Sequence, residues 1–162
     1  MSTLKVNSII PVAGVPTGGG GGIVQTKTIR KTDNFTTTSE SFVDVTGFNV
    51  SITPTSSSSK IFVLFTAYIS SSGANFGVVT QLVRDSSNLE LGYNQQPTIQ
   101  SGTGGTVVNH LIDEPATTSA VTYKIQGRKY GGGATNGGWI INDENGGSRV
   151  AVFELIEISQ WH

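Results

Sequence analysis

The sequence predicts an all-β protein: a jelly-roll-like antiparallel β-sandwich preceded by a short N-terminal arm and a glycine-rich linker. Apolar and polar residues alternate along many short stretches, and no stretch of about eleven residues or more keeps the i, i+3, i+4, i+7 spacing of a helix. Turn-forming clusters such as TPTSSSS, YGGGATNGG and NDENGG separate these stretches. Many short strands joined by such turns are typical of sandwiches and jelly rolls.

The alternation marks eight strands and indicates a ninth. The eight are expected at residues 23–30, 41–53, 60–70, 77–85, 106–113, 120–130, 138–142 and 148–159. The ninth is expected at 88–93, where NLELGY alternates over a shorter length. The body of the protein is therefore predicted to span residues 23–162.

Two of the predicted strands are apolar on both faces. In KIFVLFTAYIS, every second residue from Ile61 suits a core, yet Phe62 and Leu64 on the opposite face are also apolar. The last strand, VAVFELIEIS, has the same character. Leaving such a face in water forfeits several kcal/mol, which self-association would recover. The expected oligomer seam consists of Phe62, Leu64, Phe153 and Leu155; the alternative is a large sandwich whose own loops fold over these residues.

The segment before the body contains a linker and an arm. Residues 16–22 read PTGGGGG, and a run of glycines costs too much backbone entropy to form a stable helix or strand. Residues 1–15 contain a short apolar stretch that is too small to fold alone and is expected to dock on a partner or on sister chains. The apolar residues of this attachment arm are Leu4, Val6, Ile9 and Ile10.

Composition argues against several function classes. The net charge is −1 and only 13% of residues are charged, so neither nucleic-acid binding nor a basic membrane patch is indicated. No apolar run reaches the roughly 18 residues of a membrane span. The chain has no cysteine and two histidines, His110 and His162, and it lacks nucleophile and metal motifs. We therefore expect no enzymatic activity, no cofactor, no bound metal, no nucleic acid and no membrane insertion.

One group of residues is a candidate for contact with a receptor. Arginine and aromatic side chains on loops provide rigid area for stacking on sugars or proteins. Three candidates, Arg128, Tyr130 and Trp139, flank the glycine-rich turn GGGATNGG, and Tyr93 is the fourth candidate. Ordinary solvated surface is the alternative for Arg128 and Tyr130, and a place in the core suits Trp139 equally well.

Four further segments are informative together: STLKVNSIIPVAG, DVTGFNVSITPTSSSSKI, DEPATTSAVTYKIQ and VAVFELIEIS. They resemble a family of tail-fibre and virion structural proteins of marine and cyanobacterial phages. The resemblance implies a virion protein, on the tail rather than the head, that forms a homotrimer. It implies contact with other virion proteins through the arm, and with a host cell-surface glycan or protein through variable loops. A capsid decoration or head fibre with a purely structural role is the alternative.

Overall fold

The computed structural model describes residues 22–71, 77–89, 104–130, 139–141 and 150–159. Ten strands and no helix occur in these ranges. The strands are β1 (Ile23–Lys31), β2 (Phe35–Thr37), β3 (Val43–Ile52), β4 (Lys60–Ser71), β5 (Gly77–Arg84), β6 (Ser87–Asn88), β7 (Gly104–Asp113), β8 (Val121–Tyr130), β9 (Trp139–Ile141) and β10 (Ala151–Ile158). The prediction of an all-β body is confirmed.

The strands form two antiparallel sheets. The six-stranded sheet has the order β1-β10-β4-β9-β2, and β7 pairs with β4. The four-stranded sheet has the order β3-β8-β5-β6. Sequentially distant strands therefore lie side by side in both sheets, which is the strand arrangement of a jelly roll. The expected fold class is confirmed.

The core lies between the two sheets, where alternate side chains meet. In β4 every second residue from Ile61 to Ile69 is buried, and β8 and β10 show the same period of two. Phe48 of β3 connects the sheets at the centre of this core. Its ring lies 6.4 Å from the Phe65 ring in an edge-to-face contact and 5.5 Å from the Phe153 ring.

A buried carboxylate fixes the loop between β3 and β4. Glu157 of β10 is 0% exposed and faces the interior. Its carboxylate accepts hydrogen bonds from the Thr55 backbone N–H at 2.7 Å, the Thr55 hydroxyl at 2.6 Å and the Gln25 amide at 2.6 Å. Burial raises the pKa of Glu157, but the polar groups of Ser59, Thr55 and Gln25 outweigh it, so the pKa lies below its usual value. The TPTSSSS segment is thus held in place by the last strand.

A second polar cluster joins the two sheets beside β7. The Asp113 carboxylate accepts hydrogen bonds from the Arg84 guanidinium and the Tyr123 hydroxyl, each at 2.6 Å. Burial and the hydrogen bond to Asp113 raise the pKa of Tyr123 above its usual range, so the hydroxyl stays a donor. Because Asp113 belongs to one sheet and its two partners to the other, this cluster stabilises the closed sandwich.

Three strands differ from the sequence-based assignment. β2 was not predicted, because three residues are too few for alternation to be recognised. The expected strand 88–93 is wrong at its start, since β6 ends at Asn88 and Leu89 lies beyond it; residues 90–93 lie outside the described ranges. β3 contains a register shift between Asp44 and Asn49, where Gly47 has φ of 71°. Only glycine takes that conformation without strain, which explains this interruption of the strand pattern.

We predict that Glu157→Gln lowers the free energy of unfolding by about 1–3 kcal/mol at neutral pH, because an amide cannot accept all the hydrogen bonds of the carboxylate. A carboxyl with a lowered pKa in the folded state stabilises the fold above its unfolded pKa and loses that effect as the pH falls. The wild-type protein should therefore lose more stability than the variant between pH 7 and about pH 3.

Urea unfolding followed by circular dichroism at both pH values measures this difference. The control is Glu114→Gln, which removes an exposed ion pair with Lys60 and should change stability by less than about 1 kcal/mol. Equal acid sensitivity of the wild type and Glu157→Gln would show that the carboxylate does not hold the loop.

Candidate self-association surface

The outer face of the six-stranded sheet combines side chains from four strands. Pairing register sets these side chains in cross-strand rows, because directly opposed residues point to the same side of a sheet. The rows are Thr26–Ile156–Phe62–Ile112, then Thr28–Glu154–Leu64–His110, then Arg30–Val152–Thr66–Val108. The apolar members lie on β10, β4 and β7, whereas β1 contributes only polar side chains to these three rows.

We call the apolar members of these rows the outer surface. They are Phe62, Leu64, Val108, Ile112, Val152 and Ile156. Val108 and Ile112 are 55% and 59% exposed, and the other four are half-buried by their neighbours on the sheet. Contiguous apolar area of this kind marks sites of association in soluble proteins.

Few charges interrupt the outer surface. Glu154 lies half-buried between Leu64 and Thr28 in its row. His110 is exposed, and its ring centroid lies 6.2 Å from that of Phe62. At one end of the surface, Lys60 and Glu114 form an ion pair of 2.7 Å that leaves no net charge there. The surface therefore favours an apolar partner with matching polar groups at its margin.

Two of the four residues of the predicted seam lie on the outer face. Phe62 and Leu64 face outward, as the two-sided pattern suggests. The placement of Phe153 and Leu155 is wrong, because both are 0% exposed within the sandwich. Phe153 pairs with Phe65, and Leu155 pairs with Val63, so both share the inner face. The outward residues of β10 are instead Val152, Glu154, Ile156 and Ile158.

β7 also contributes to the outer surface, although the predicted seam did not include it. In TVVNHLID, Val107 is buried and Val108 is exposed, and Leu111 and Ile112 are adjacent apolar residues that face opposite sides. The same two-sided pattern that singled out the segment 60–70 was present in this strand. It was weaker because Asn109 and His110 separate the two apolar pairs.

The receptor candidates are spread over the structure. Arg128 lies on the outer face of the four-stranded sheet, and its guanidinium sits 5.1 Å from the Phe42 ring centroid. It is half-buried and engaged in this cation–π contact. Tyr130 ends β8 and Trp139 begins β9, so their backbones belong to different sheets. Tyr93 lies outside the described residues, as do Leu4, Val6, Ile9 and Ile10 of the arm and the linker 16–22.

Metal sites and membrane-spanning helices are both absent from the described ranges. No group of three or more His, Asp or Glu side chains that could hold a metal ion is found there. The same part of the chain contains no helix long and apolar enough to span a membrane. The outer surface is therefore the strongest candidate for function that these ranges offer.

Comparison with known proteins relates the fold to viral structures. No family model and no curated protein matches the chain. A chain from a viral particle of infectious bursal disease virus matches with a TM-score of 0.50 and 11% identity, over 93% of this chain and 42% of that chain. The Gt strain of this virus matches at 0.48 and 9% identity, over 93% and 45% of the two chains. Its subviral particle matches at 0.46 and 8% identity, over 85% and 40%.

This chain thus spans less than half the length of these solved chains. At 11% identity, the match with a TM-score of 0.50 shows similarity of fold alone. It supports the jelly-roll assignment that the strand order already gives.

We predict that Leu64→Lys prevents self-association while leaving the fold intact. A lysine here would place a second charge beside Glu154 in the middle of the outer surface, and burying such a pair against another chain carries a large desolvation cost. Light scattering measures the mass, and thermal unfolding checks the fold. Thr28→Lys is the matched control, because Thr28 lies in the same cross-strand row but is exposed and polar. If both variants keep the wild-type mass, the outer surface is not the seam.

The buried position of Phe153 leads to a different expectation. Phe153→Ala should lower the free energy of unfolding by about 3–5 kcal/mol, because it removes a ring from the centre of the core. Phe62→Ala should lower the free energy of unfolding of the dissociated chain by clearly less than Phe153→Ala does, since Phe62 is only half-buried there. Urea unfolding at high dilution compares the two variants, and similar losses would contradict the assignment of the two faces.

Proposed function

We propose that the protein is a self-assembling structural protein of a virus particle. The observation that carries this proposal is a jelly-roll sandwich whose six-stranded sheet presents an apolar outer surface to solvent. A surface of this kind needs a partner, and identical copies can cover the same area on one another. The fold similarity to a chain of a virus particle supports this proposal.

Within this class, we propose a phage tail fibre or fibre tip that mediates host attachment. The support is the resemblance of the four sequence segments to tail-fibre and virion proteins, together with the order of arm, linker and body. Linkers of glycine-rich composition generally let a body adopt an orientation unlike that of its mount. The loops beyond the sheets would then contact a host cell-surface glycan or protein, with Arg128, Tyr130, Trp139 and Tyr93 as candidates.

A capsid decoration or head-fibre protein is the second candidate function. The fold similarity favours it, because the solved chain with a TM-score of 0.50 comes from a viral particle described as icosahedral. In this role the outer surface and the arm serve assembly alone, and the loops bind nothing.

The proposed assembly is a homotrimer whose seam includes Phe62 and Leu64. The number three rests on the resemblance to fibre proteins, whereas the position of the seam rests on the outer surface. Val152 and Ile156 replace Phe153 and Leu155 as the contribution of β10, because they share the face of Phe62.

Immunogold electron microscopy of particles that carry this protein distinguishes the two roles. Label at the tail or its fibres supports host attachment, and the isolated protein should then compete with particles for host cells. Label on the head supports the role of a capsid decoration or head fibre and contradicts host attachment through the tail. The absence of label on purified particles would overturn the virion proposal altogether.

We predict that a chain lacking residues 1–15 remains folded but no longer joins the particle. The core begins with β1. Gly22, directly before β1, forms two hydrogen bonds of 3.0 Å with Ser159, directly after β10. The thermal midpoint should therefore change by less than about 2 °C, and incorporation into particles should be lost. Replacing Ile9 and Ile10 with aspartate should act like the deletion, because burial of unpaired carboxylates is unfavourable.

Ser8→Asp is the control for the added charge, since it lies in the same segment but removes no apolar side chain. If the shortened chain unfolds or changes its oligomeric state, the arm belongs to the body and is not a mount.

A further inference from the structure

The sheets end in edge strands that differ in their capacity to accept another strand. An edge strand exposes a row of unpaired backbone groups, and native proteins usually block it with bulges, charges, prolines or shortness. In the described ranges the edges of the six-stranded sheet are β1, β2 and β7, and those of the four-stranded sheet are β3 and β6.

Four of these five edges carry a blocking feature. β1 has a register shift between Ile23 and Gln25 and carries the cationic side chains of Lys27 and Arg30. β3 has the register shift that contains Gly47. β2 and β6 have three and two residues and offer little length for pairing.

β7 has none of these features. It pairs with β4 in unbroken register over ten residues, from Gly104 opposite Ser70 to Asp113 opposite Ile61. Between Gly104 and Ile112 it contains no proline, lysine, arginine or acidic residue, and His110 is its one ionisable side chain there. Among the described strands, β4 is its one pairing partner. The edge is long, regular and nearly uncharged.

The side chains on this edge are apolar where they face solvent. Val108 and Ile112 are the most exposed members of the outer surface, at 55% and 59%. They lie on either side of His110 along the strand, with the half-buried Phe62 and Leu64 behind them on β4. A strand added here would therefore gain apolar contacts as well as backbone hydrogen bonds.

We propose that β7 pairs, antiparallel, with β7 of a second copy of this chain across a two-fold axis. Pairing of two unlike strands between identical copies would need a second open edge, and each of the other described edges is blocked. Pairing of β7 with itself needs one open edge and covers the same residues on both copies. The six-stranded sheet then continues from one copy into the next.

This contact differs in geometry from the proposed trimer seam, although Val108 and Ile112 border both, so the cross-link between two β7 strands is the test that distinguishes them. The contact does not depend on the virion role. It uses the backbone edge of β7, whereas the seam uses the face formed by Phe62 and Leu64. In a trimeric assembly it would join two trimers, and in a chain without a trimer seam it would produce dimers.

Cysteine cross-linking tests the pairing directly, because the chain contains no native cysteine. Single substitutions to cysteine at Thr106, Val108, His110 and Ile112 place a thiol on the outward side of β7. In an antiparallel pair across a two-fold axis, an outward residue that lies on the axis faces its own copy; where an inward residue lies on the axis, the two outward residues beside it face each other. Mild oxidation of each variant alone, and of each mixture of two neighbouring variants, should therefore give a covalent dimer strongly for one variant or one mixture and weakly for the others.

The control is Thr26→Cys, an exposed position on the outward side of β1. Equal cross-linking at all four β7 positions would overturn the proposal, because random collisions between molecules do not favour one position. Cross-linking no stronger than that of the control in every β7 sample would overturn it as well.

A charge on the edge provides the second test. Val108→Lys should weaken dimer formation at least about tenfold, since the contact contains the substitution twice. The control Val24→Lys adds the same charge at an exposed apolar residue of β1 and should leave the dissociation constant unchanged. Thermal unfolding confirms that both variants fold, and equal weakening by both would contradict the assignment of the contact to β7.

The outcome is distinguishable from failure of the proposed function. If no specific β7 cross-link forms but immunogold label is found on particles, the β7 contact is refuted and the virion role is not. If a specific cross-link forms but the protein is absent from particles, the virion role is refuted and the β7 contact is not.

Discussion

The structure depends on covering both faces of β4. This strand is central in the six-stranded sheet, with β10 on one side and β7 on the other, so its backbone groups are paired. Its inner side chains are covered by the four-stranded sheet, chiefly through Phe48 against Phe65. Its outer side chains, Phe62 and Leu64, are only half covered by their neighbours. The inner contact closes the sandwich, and the outer face leaves an apolar area that association would cover.

The two polar clusters lie on the inner side of the sheets and stabilise the sandwich. Glu157 binds the loop between β3 and β4, and Asp113 joins the two sheets through Arg84 and Tyr123. Both carboxylates face the interior and accept hydrogen bonds from donors of the chain itself, which is consistent with a structural role. The acidic pair Asp113–Glu114 illustrates this, because Asp113 turns inward to its two partners while Glu114 forms an exposed ion pair with Lys60.

Alternation in the sequence was enough to locate eight of the strands. In the longer ones, such as β4, β8 and β10, one face is buried over several residues. It did not determine the orientation of β10, whose two faces are both apolar. Orientation depends on the register that places Phe153 beside Phe65 and Leu155 beside Val63. Register between strands ninety residues apart is a property of the folded sheet and has no local signal. The outer surface was therefore only partly predictable: the predicted seam contained Phe62 and Leu64 but not Val108, Ile112, Val152 or Ile156.

The central claim is that other copies of the chain cover the outer surface. Hydroxyl-radical footprinting of the intact protein, at high concentration and after dilution, measures this directly through the oxidation rate of each side chain. The claim predicts that Val108, Ile112 and Phe62 are protected at high concentration and become reactive on dilution, while Ile23 and Val24 on β1 react equally in both. Oxidation of Val108 and Ile112 at the rate their exposure in a single chain implies, independent of concentration, would contradict it.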